Sequence, residues 1–147
     1  MKNLPEILPD FRASGLFRLS DDAPIKELER LAKQYHYKFF LLDGAEIRGK
    51  ERFLNHAAAV LSFPDYFGNN WDAFEDCLTD MSWHETDGFL IVYDHFEAFA
   101  QHSPDQFKMA LEILQDSVEF WRERERAFFV LLRGRGEQLP GLPSVTF

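Results

Sequence analysis

The sequence is poor in cysteine and contains no familiar catalytic motif, and each absence removes a class of protein. Its single cysteine, Cys77, cannot form an intramolecular disulfide, so the core has to hold the fold together. Neither GxGxxG nor GxxxxGK[ST] occurs, which argues against the common nucleotide-binding loops. HExxH and the GxSxG elbow are missing as well, so no residue stands out as catalytic.

Long hydrophobic runs are also absent. No stretch approaches the roughly 20 apolar residues that cross a membrane, and the opening residues MKNLPEILPDF lack the apolar centre of a signal peptide. We therefore expect a cytoplasmic protein that does not bind membranes. The chain has 147 residues, 46% of them hydrophobic and 16 of them Phe, which is enough for one domain without a structural metal.

The most informative absence is that of lysine and arginine between Arg52 and Lys108. This interval holds ten acids and carries a formal charge of −10, while the rest of the chain has 16 cations against 15 acids and carries +1. A concentrated negative field attracts basic partners and repels nucleic acid. We therefore predict a basic protein partner, no direct nucleic-acid binding, and a monomer when the protein is free.

Apolar runs alternate with segments of helical spacing along the chain. Strands are predicted at 37–42, 88–93 and 127–132, with a possible fourth, at a sheet edge, at 15–19. Helices are predicted at 24–35, 49–62, about 70–81 and 104–124. This alternation predicts an α/β fold in which a small parallel sheet is packed with helices.

We expect a single domain over residues 1–147. Residues 1–36 should form an N-terminal extension packed on it, because the helix at 24–35 has an apolar face that needs cover. Residues 134–147, rich in Gly and Pro, are predicted to be a loosely packed C-terminal tail.

The stretch from Phe63 to Met81 predicts a turn and then an amphipathic helix capped by Asn69 or Asn70. The polar face of this helix has no cation and consists of Asp72, Glu75, Asp76 and Asp80. Like charges three or four residues apart destabilise a helix by roughly 0.2–0.5 kcal/mol per pair. These carboxylates form either a solvated face or a binding surface, and the lack of cations around them favours binding.

Other side chains of this region allow two interpretations each. Tyr66 and Phe67 precede the helix, where aromatic rings serve either core packing or partner contact. Cys77 falls on the apolar stripe and is interpreted as a buried residue. A further hypothesis is a small hydrolase with a metal site formed by His84, Asp87, Asp94 and His95. The alternative is that the histidines are ordinary surface residues in polar loops.

The segment PDYFGNNWDAFEDCLT, residues 64–79, closely resembles the loop and second helix of the barstar family, intracellular inhibitors of barnase-type ribonucleases. LDGAEIR, residues 42–48, resembles a strand and turn of the same family, and the resemblance covers about residues 38–134. It implies a barstar-like fold without catalytic residues, cofactor or metal. The implied function is that of an immunity protein, and the implied partner is a basic extracellular or toxin-type ribonuclease.

The resemblance also implies which residues contact the ribonuclease. They are Tyr66, Gly68, Asn70, Asp72, Asp76 and Thr79, with Asp116 on a later helix. Asp76 matches the aspartate that takes the place of a substrate phosphate in the nuclease active site. Phe67, Glu75 and Asp80 complete the predicted contact surface, although Glu75 stands where the family has a tryptophan. The alternative is an acidic module of the same fold that binds another basic protein without inhibiting it.

Overall fold

The computed structural model describes residues 2–136, 139 and 141–147, and over these residues six strands form one sheet. The strands are β1 (Lys2–Asn3), β2 (Leu16–Leu19), β3 (Tyr37–Asp43), β4 (Gly88–Asp94), β5 (Ala127–Arg133) and β6 (Ser144–Thr146). The helices are α1 (Leu4–Ile7), α2 (Ile25–Gln34), α3 (Lys50–Val60), α4 (Trp71–Leu78), α5 (Glu97–His102) and α6 (Pro104–Glu123).

The described strands are all parallel and lie in the order β1-β6-β2-β5-β4-β3. This confirms the predicted α/β fold with a parallel sheet packed by helices, but the predicted count of three or four strands is wrong. β2 was expected at an edge and instead lies between β5 and β6. The tail expected to pack loosely supplies β6, while its residues 137, 138 and 140 lie outside the described part of the chain.

The two faces of the sheet bury different halves of the same strands. Along β4, Phe89, Ile91 and Tyr93 join the core beneath α3, α4, α5 and α6, whereas Leu90 and Val92 face α1 and α2. Successive side chains of a strand point to opposite faces, and here both faces are covered. This explains why the central strands consist of unbroken apolar runs.

The segment before β3 covers the second face. Leu4 and Leu8, at α1, and Leu28, on α2, are fully buried in the same cluster as Val92 and Phe129. Among the described residues, no helix is long and apolar enough to cross a membrane. The acidic helix α4 lies on the other face, where it packs against α6.

Candidate functional site

The start of α4 is fixed by a side-chain cap. Asn70 Oδ1 accepts a hydrogen bond from the Ala73 N–H at 2.8 Å, so Asn70 is the cap and Asn69 is not. Asn69 has a φ of 55°, a left-handed conformation that asparagine tolerates. A Cβ added at Gly68 would lie 3.3 Å from Asn70 Nδ2, so glycine leaves room for the cap. Gly68 and Asn70 therefore shape the entry to the helix.

Both ends of α4 are tied to α6 by tryptophan hydrogen bonds. Trp71 Nε1 donates to Gln106 Oε1 at 2.8 Å, and Trp121 Nε1 donates to the Leu78 carbonyl oxygen at 2.8 Å. Between these two bonds Phe74, Cys77 and Leu78 are buried. The outer face of α4 is therefore held in place before any partner arrives.

α4 ends at Leu78, about one turn earlier than predicted. The Thr79 hydroxyl donates back to the Glu75 carbonyl oxygen at 2.9 Å, and Met81 turns the chain with a φ of 51°. Asp80 therefore lies in the turn beyond the helix, and the expectation that Asp76 and Asp80 share one helix face is wrong. The apolar spacing misled the prediction, because Met81 is buried from the turn just as it would be from a further helical turn.

The carboxylates around α4 differ in their exposure to solvent. Asp72, Asp76 and Asp80 are exposed and Glu75 is half-buried. Among the described residues, none of the four forms an ion pair. Asp80 shares a shallow depression with Arg124 and Arg126, which the sequence did not show to be its neighbours. The unpaired acidic surface is therefore centred on Asp72 and Asp76, with cations at one border.

The dipole of α4 acts differently on Asp72 and on Asp76. Asp72 lies in the first turn, where the positive end of the macrodipole favours a carboxylate, while Asp76 lies near the negative end.

Cys77, which follows Asp76 on α4, is buried. Burial raises the pKa of its thiol, and the carboxylates of Asp76 and Asp80 add to the effect. The thiol is therefore held protonated and unreactive, as expected for a core residue.

The two aromatic residues before α4 differ in exposure. Tyr66 is 74% exposed, so it does not serve the core. Phe67 is half-buried, and its ring lies edge-on to Phe63 with 5.1 Å between centroids. Tyr66 is therefore free to contact a partner, whereas much of Phe67 is used in packing.

The remaining predicted contact, Asp116, is exposed on α6. Sequence reasoning missed three residues of this helix: Gln106 and Trp121, which hold α4, and Met109, which is 41% exposed. The two that hold α4 lie 35 and 43 residues from their partners, so their role depends on the tertiary fold.

The residues of the hypothetical metal site are not brought together. His84 Nε2 lies 2.8 Å from the Leu61 carbonyl oxygen, near the start of β4, whereas Asp94 at its other end is ion-paired with Arg133 at 2.8 Å. Seven strand residues separate the two ends by roughly 20 Å. Within the described ranges, no group of three or more His, Cys, Asp or Glu side chains is placed to hold a metal ion.

Comparison with known protein families shows a match to one family. A family model described as Barstar (barnase inhibitor) matches residues 37–133, which contain β3 to β5, α3 to α6 and every predicted contact residue. Residues outside the match supply β1, β2, β6, α1 and α2. None of the curated proteins matches the chain. The family match covers 97 of the 147 residues and includes all of α4 with the helices around it, and the chain therefore belongs to the barstar family.

Proposed function

We propose that this protein inhibits a basic, barnase-type ribonuclease by laying the outer face of α4 over the enzyme's active site. The observation that carries the proposal is Asp76, which is exposed, unpaired among the described residues and placed where the helix field opposes its charge. We expect such a carboxylate to lower the stability of the free protein. The cations of a bound partner would stabilise this negative charge.

The chemistry of the partner fits the surface of α4. A ribonuclease active site holds cations that bind phosphate, and a carboxylate accepts charge-assisted hydrogen bonds from the same Arg and Lys groups. Asp72 and Asp76 present two such acceptors one turn apart. Because α4 is held at both ends by α6, little conformational freedom is lost on binding.

The proposed contact surface surrounds these two aspartates. It comprises Tyr66, Phe67, Gly68, Asn70, Asp72, Glu75, Asp76, Thr79, Asp80 and Asp116. Occlusion alone blocks the enzyme, so the inhibitor performs no catalysis and needs no metal or cofactor. In this role it acts as a cytoplasmic immunity protein against a secreted or toxin-type ribonuclease.

The experiment is a titration of barnase activity on an RNA substrate with the full chain, its Asp76→Ala variant and an Asp22→Ala control. Asp22 is another exposed aspartate without an ion pair among the described residues, and it lies in the loop before α2. The parent and the control should abolish activity. Asp76→Ala should weaken binding by about 2–5 kcal/mol, a range to which the barnase–barstar pair itself contributes.

The outcomes separate three cases. Loss of activity that depends on Asp76 supports the proposal. Binding that leaves the nuclease fully active favours an acidic module that does not inhibit. A parent chain that neither binds nor inhibits barnase at any concentration contradicts the proposal.

A further inference from the structure

A small cleft lies at the amino ends of β3, β4 and β5, which are neighbours in the sheet. Its volume is about 270 Å³, which is below the roughly 300–1,000 Å³ of pockets that hold drug-sized ligands. Several separate parts of the chain line it and contribute Phe11, Tyr35, Tyr37, Asp87, Glu125 and Ala127. The cleft therefore has room for one small chemical group.

The cleft lies on the face of the sheet away from α4. Phe11, Tyr35 and Tyr37 pack against the cluster that contains Leu28, whereas Phe74 of α4 belongs to the cluster on the other face. Phe11 and Tyr35 also lie outside the part of the chain that the family model matches. The cleft is therefore separate from the proposed ribonuclease-binding surface, and a ligand bound in it would leave that surface free.

Three aromatic residues line the cleft. The ring centroids of Tyr35 and Tyr37 are 6.0 Å apart, and their planes are inclined at 40°. The Tyr37 hydroxyl donates to the Leu8 carbonyl oxygen. Gly88 leaves room for the Tyr37 ring, because a Cβ at this glycine would lie 2.9 Å from it. Tyr37 is thus held in place, and like Tyr35 and Phe11 it is only half-buried, so part of each residue is accessible to a ligand.

The charge at the cleft is negative. Asp87 and Glu125 are exposed, and among the described residues neither of them forms an ion pair. Burial raises the pKa of the Tyr37 hydroxyl, and Tyr35, Asp87 and Asp10 add to the effect. A negative field at the rings is the expected cause of that addition. The same field attracts a positively charged ligand.

Several cations lie near the cleft without lining it. Arg12 Cζ lies 5.2 Å from the centroid of the Phe11 ring, which is a cation–π contact within the protein. Lys33 and Lys38 line the neighbouring depression, and Arg126 Nη1 donates to a backbone carbonyl oxygen at 3.1 Å. The described residues that line the cleft itself include no lysine or arginine. The cleft therefore offers aromatic surface and carboxylates without a cation of its own.

Aromatic rings beside carboxylates fit a methylated ammonium ion better than a primary one. The negative face of a ring attracts a cation that lies within about 6 Å of its centroid. A primary ammonium has three N–H donors that need acceptors, and the rings supply none. A quaternary ammonium has no N–H donor, so it enters an aromatic cleft without giving up hydrogen bonds.

We propose that this cleft binds a small quaternary ammonium compound, with its methyl groups against Phe11, Tyr35 and Tyr37 and its charge near Asp87 and Glu125. The small volume of the cleft favours a free small molecule of this class, and choline is a simple probe for it. A trimethyl-lysine side chain carries the same headgroup, so a peptide that contains it forms a separate arm of the experiment.

The first test titrates the full chain with three probes and follows the amide NMR signals of residues at the cleft, such as Ala127. Ethanolamine has the charge of choline without its methyl groups, and the neutral carbon analogue of choline has the methyl groups without the charge. Each should bind about 3- to 30-fold more weakly than choline. Equal dissociation constants for the three probes, or no change of these signals with choline, would overturn the proposal.

Two matched pairs of variants locate the choline site. Tyr35→Leu removes a ring from the cleft, and its control is Phe147→Leu, which removes a 43% exposed ring outside the cleft. Asp87→Asn removes a carboxylate, and its control is Asp22→Asn, at an exposed aspartate in the loop after β2. Tyr35→Leu should weaken choline binding by about 3- to 30-fold and Asp87→Asn by about 2-fold or more at low salt. Both controls should bind choline as the parent does.

Urea unfolding of each variant establishes that the native state is retained. If Tyr35→Leu does not fold, the Asp87 pair and the three probes still decide the outcome. Choline binding that neither Tyr35→Leu nor Asp87→Asn weakens would place the ligand elsewhere and overturn the proposal. A trimethyl-lysine peptide that binds while choline does not would overturn the assignment to a free small molecule.

Discussion

Asp72 and Asp76 carry the same charge on one short helix, yet the field of that helix acts on them with opposite sign. Asp72 is in the first turn, near the positive end of the macrodipole, and Asp76 is near the negative end. They are also four residues apart, so each repels the other. Asp76 is thus the aspartate that the free protein would be more stable without.

Asparagine substitutions at these two positions measure the difference. Asp76→Asn removes an unfavourable dipole interaction and the mutual repulsion, so the free energy of unfolding should rise by about 0.5–1.5 kcal/mol. Asp72→Asn loses a favourable dipole interaction while relieving the same repulsion, so stability should stay level or fall by up to about 0.8 kcal/mol. Urea unfolding at low ionic strength gives both values. A less stable Asp76→Asn protein would show that the carboxylate has a structural role.

At the scale of elements, the bounds of strands and helices were predicted most accurately where a short stretch of sequence determines them. β4 and β5 were predicted within one residue, because a strand buried on both faces is an unbroken apolar run. The start of α6 at Pro104 follows from the Ser-Pro pair before an amphipathic run. A cap at Asn69 or Asn70 was predicted for the same local reason, and the structure identifies it as Asn70.

Elements that depend on distant partners could not be predicted. β1 and β6 have two and three residues, too few for a periodic pattern, and they pair with each other across almost the whole chain. β2 was predicted at a sheet edge, and Arg18 interrupts its apolar run. In the fold, that side chain is half-buried and donates to the Gly136 carbonyl oxygen at 2.9 Å. The proximity of Arg124 and Arg126 to Asp80 could not be predicted either, because only the tertiary fold brings these residues together.

The next prediction concerns the contribution of α2 and the elements before it to the stability of the fold. We expect deletion of residues 1–36 to abolish cooperative unfolding or solubility, because it removes the cover of fully buried side chains such as Val92 and Phe129. The point variant Leu28→Ala should lower the free energy of unfolding by about 2–5 kcal/mol. Lys26→Ala, on the exposed side of α2, should change it by less than about 0.5 kcal/mol.

Thermal and urea unfolding measure all three variants. A deletion variant that remains soluble and melts at the parent's temperature would contradict the prediction. It would then follow that residues 37–147, which contain the part matched by the family, form a complete folding unit.

At the scale of the whole molecule, the fold redistributes the charge that the sequence shows as one block. Asp94, although inside the cation-free interval, is buried and ion-paired with Arg133. Glu112 and Asp116 lie outside that interval, and the fold brings them beside α4 on α6. On the far side of the sheet, α2 has three cations and two acids. The negative field is therefore concentrated on α4 and α6, so the protein has a charged side and a nearly neutral one.

This asymmetry predicts that salt acts mainly on the rate of encounter. Mobile ions screen exposed charges beyond about 8 Å at physiological ionic strength, and the exposed carboxylates of α4 act over such distances while a partner approaches. Barnase should therefore associate about 10-fold or more slowly in 1 M salt than in 20 mM salt. Its dissociation rate should change far less, because charges in contact are screened less.

Stopped-flow mixing over that salt range measures both rates, and two variants test whether the field comes from α4. Asp76→Asn and Glu29→Gln remove one negative charge each, the first from α4 and the second from α2. If the field of α4 steers the partner, Asp76→Asn should flatten the salt dependence of association more than Glu29→Gln does. Equal flattening in the two variants would mean that only the net charge of −9 matters. Association rates that do not change with salt would rule out electrostatic steering by this protein altogether.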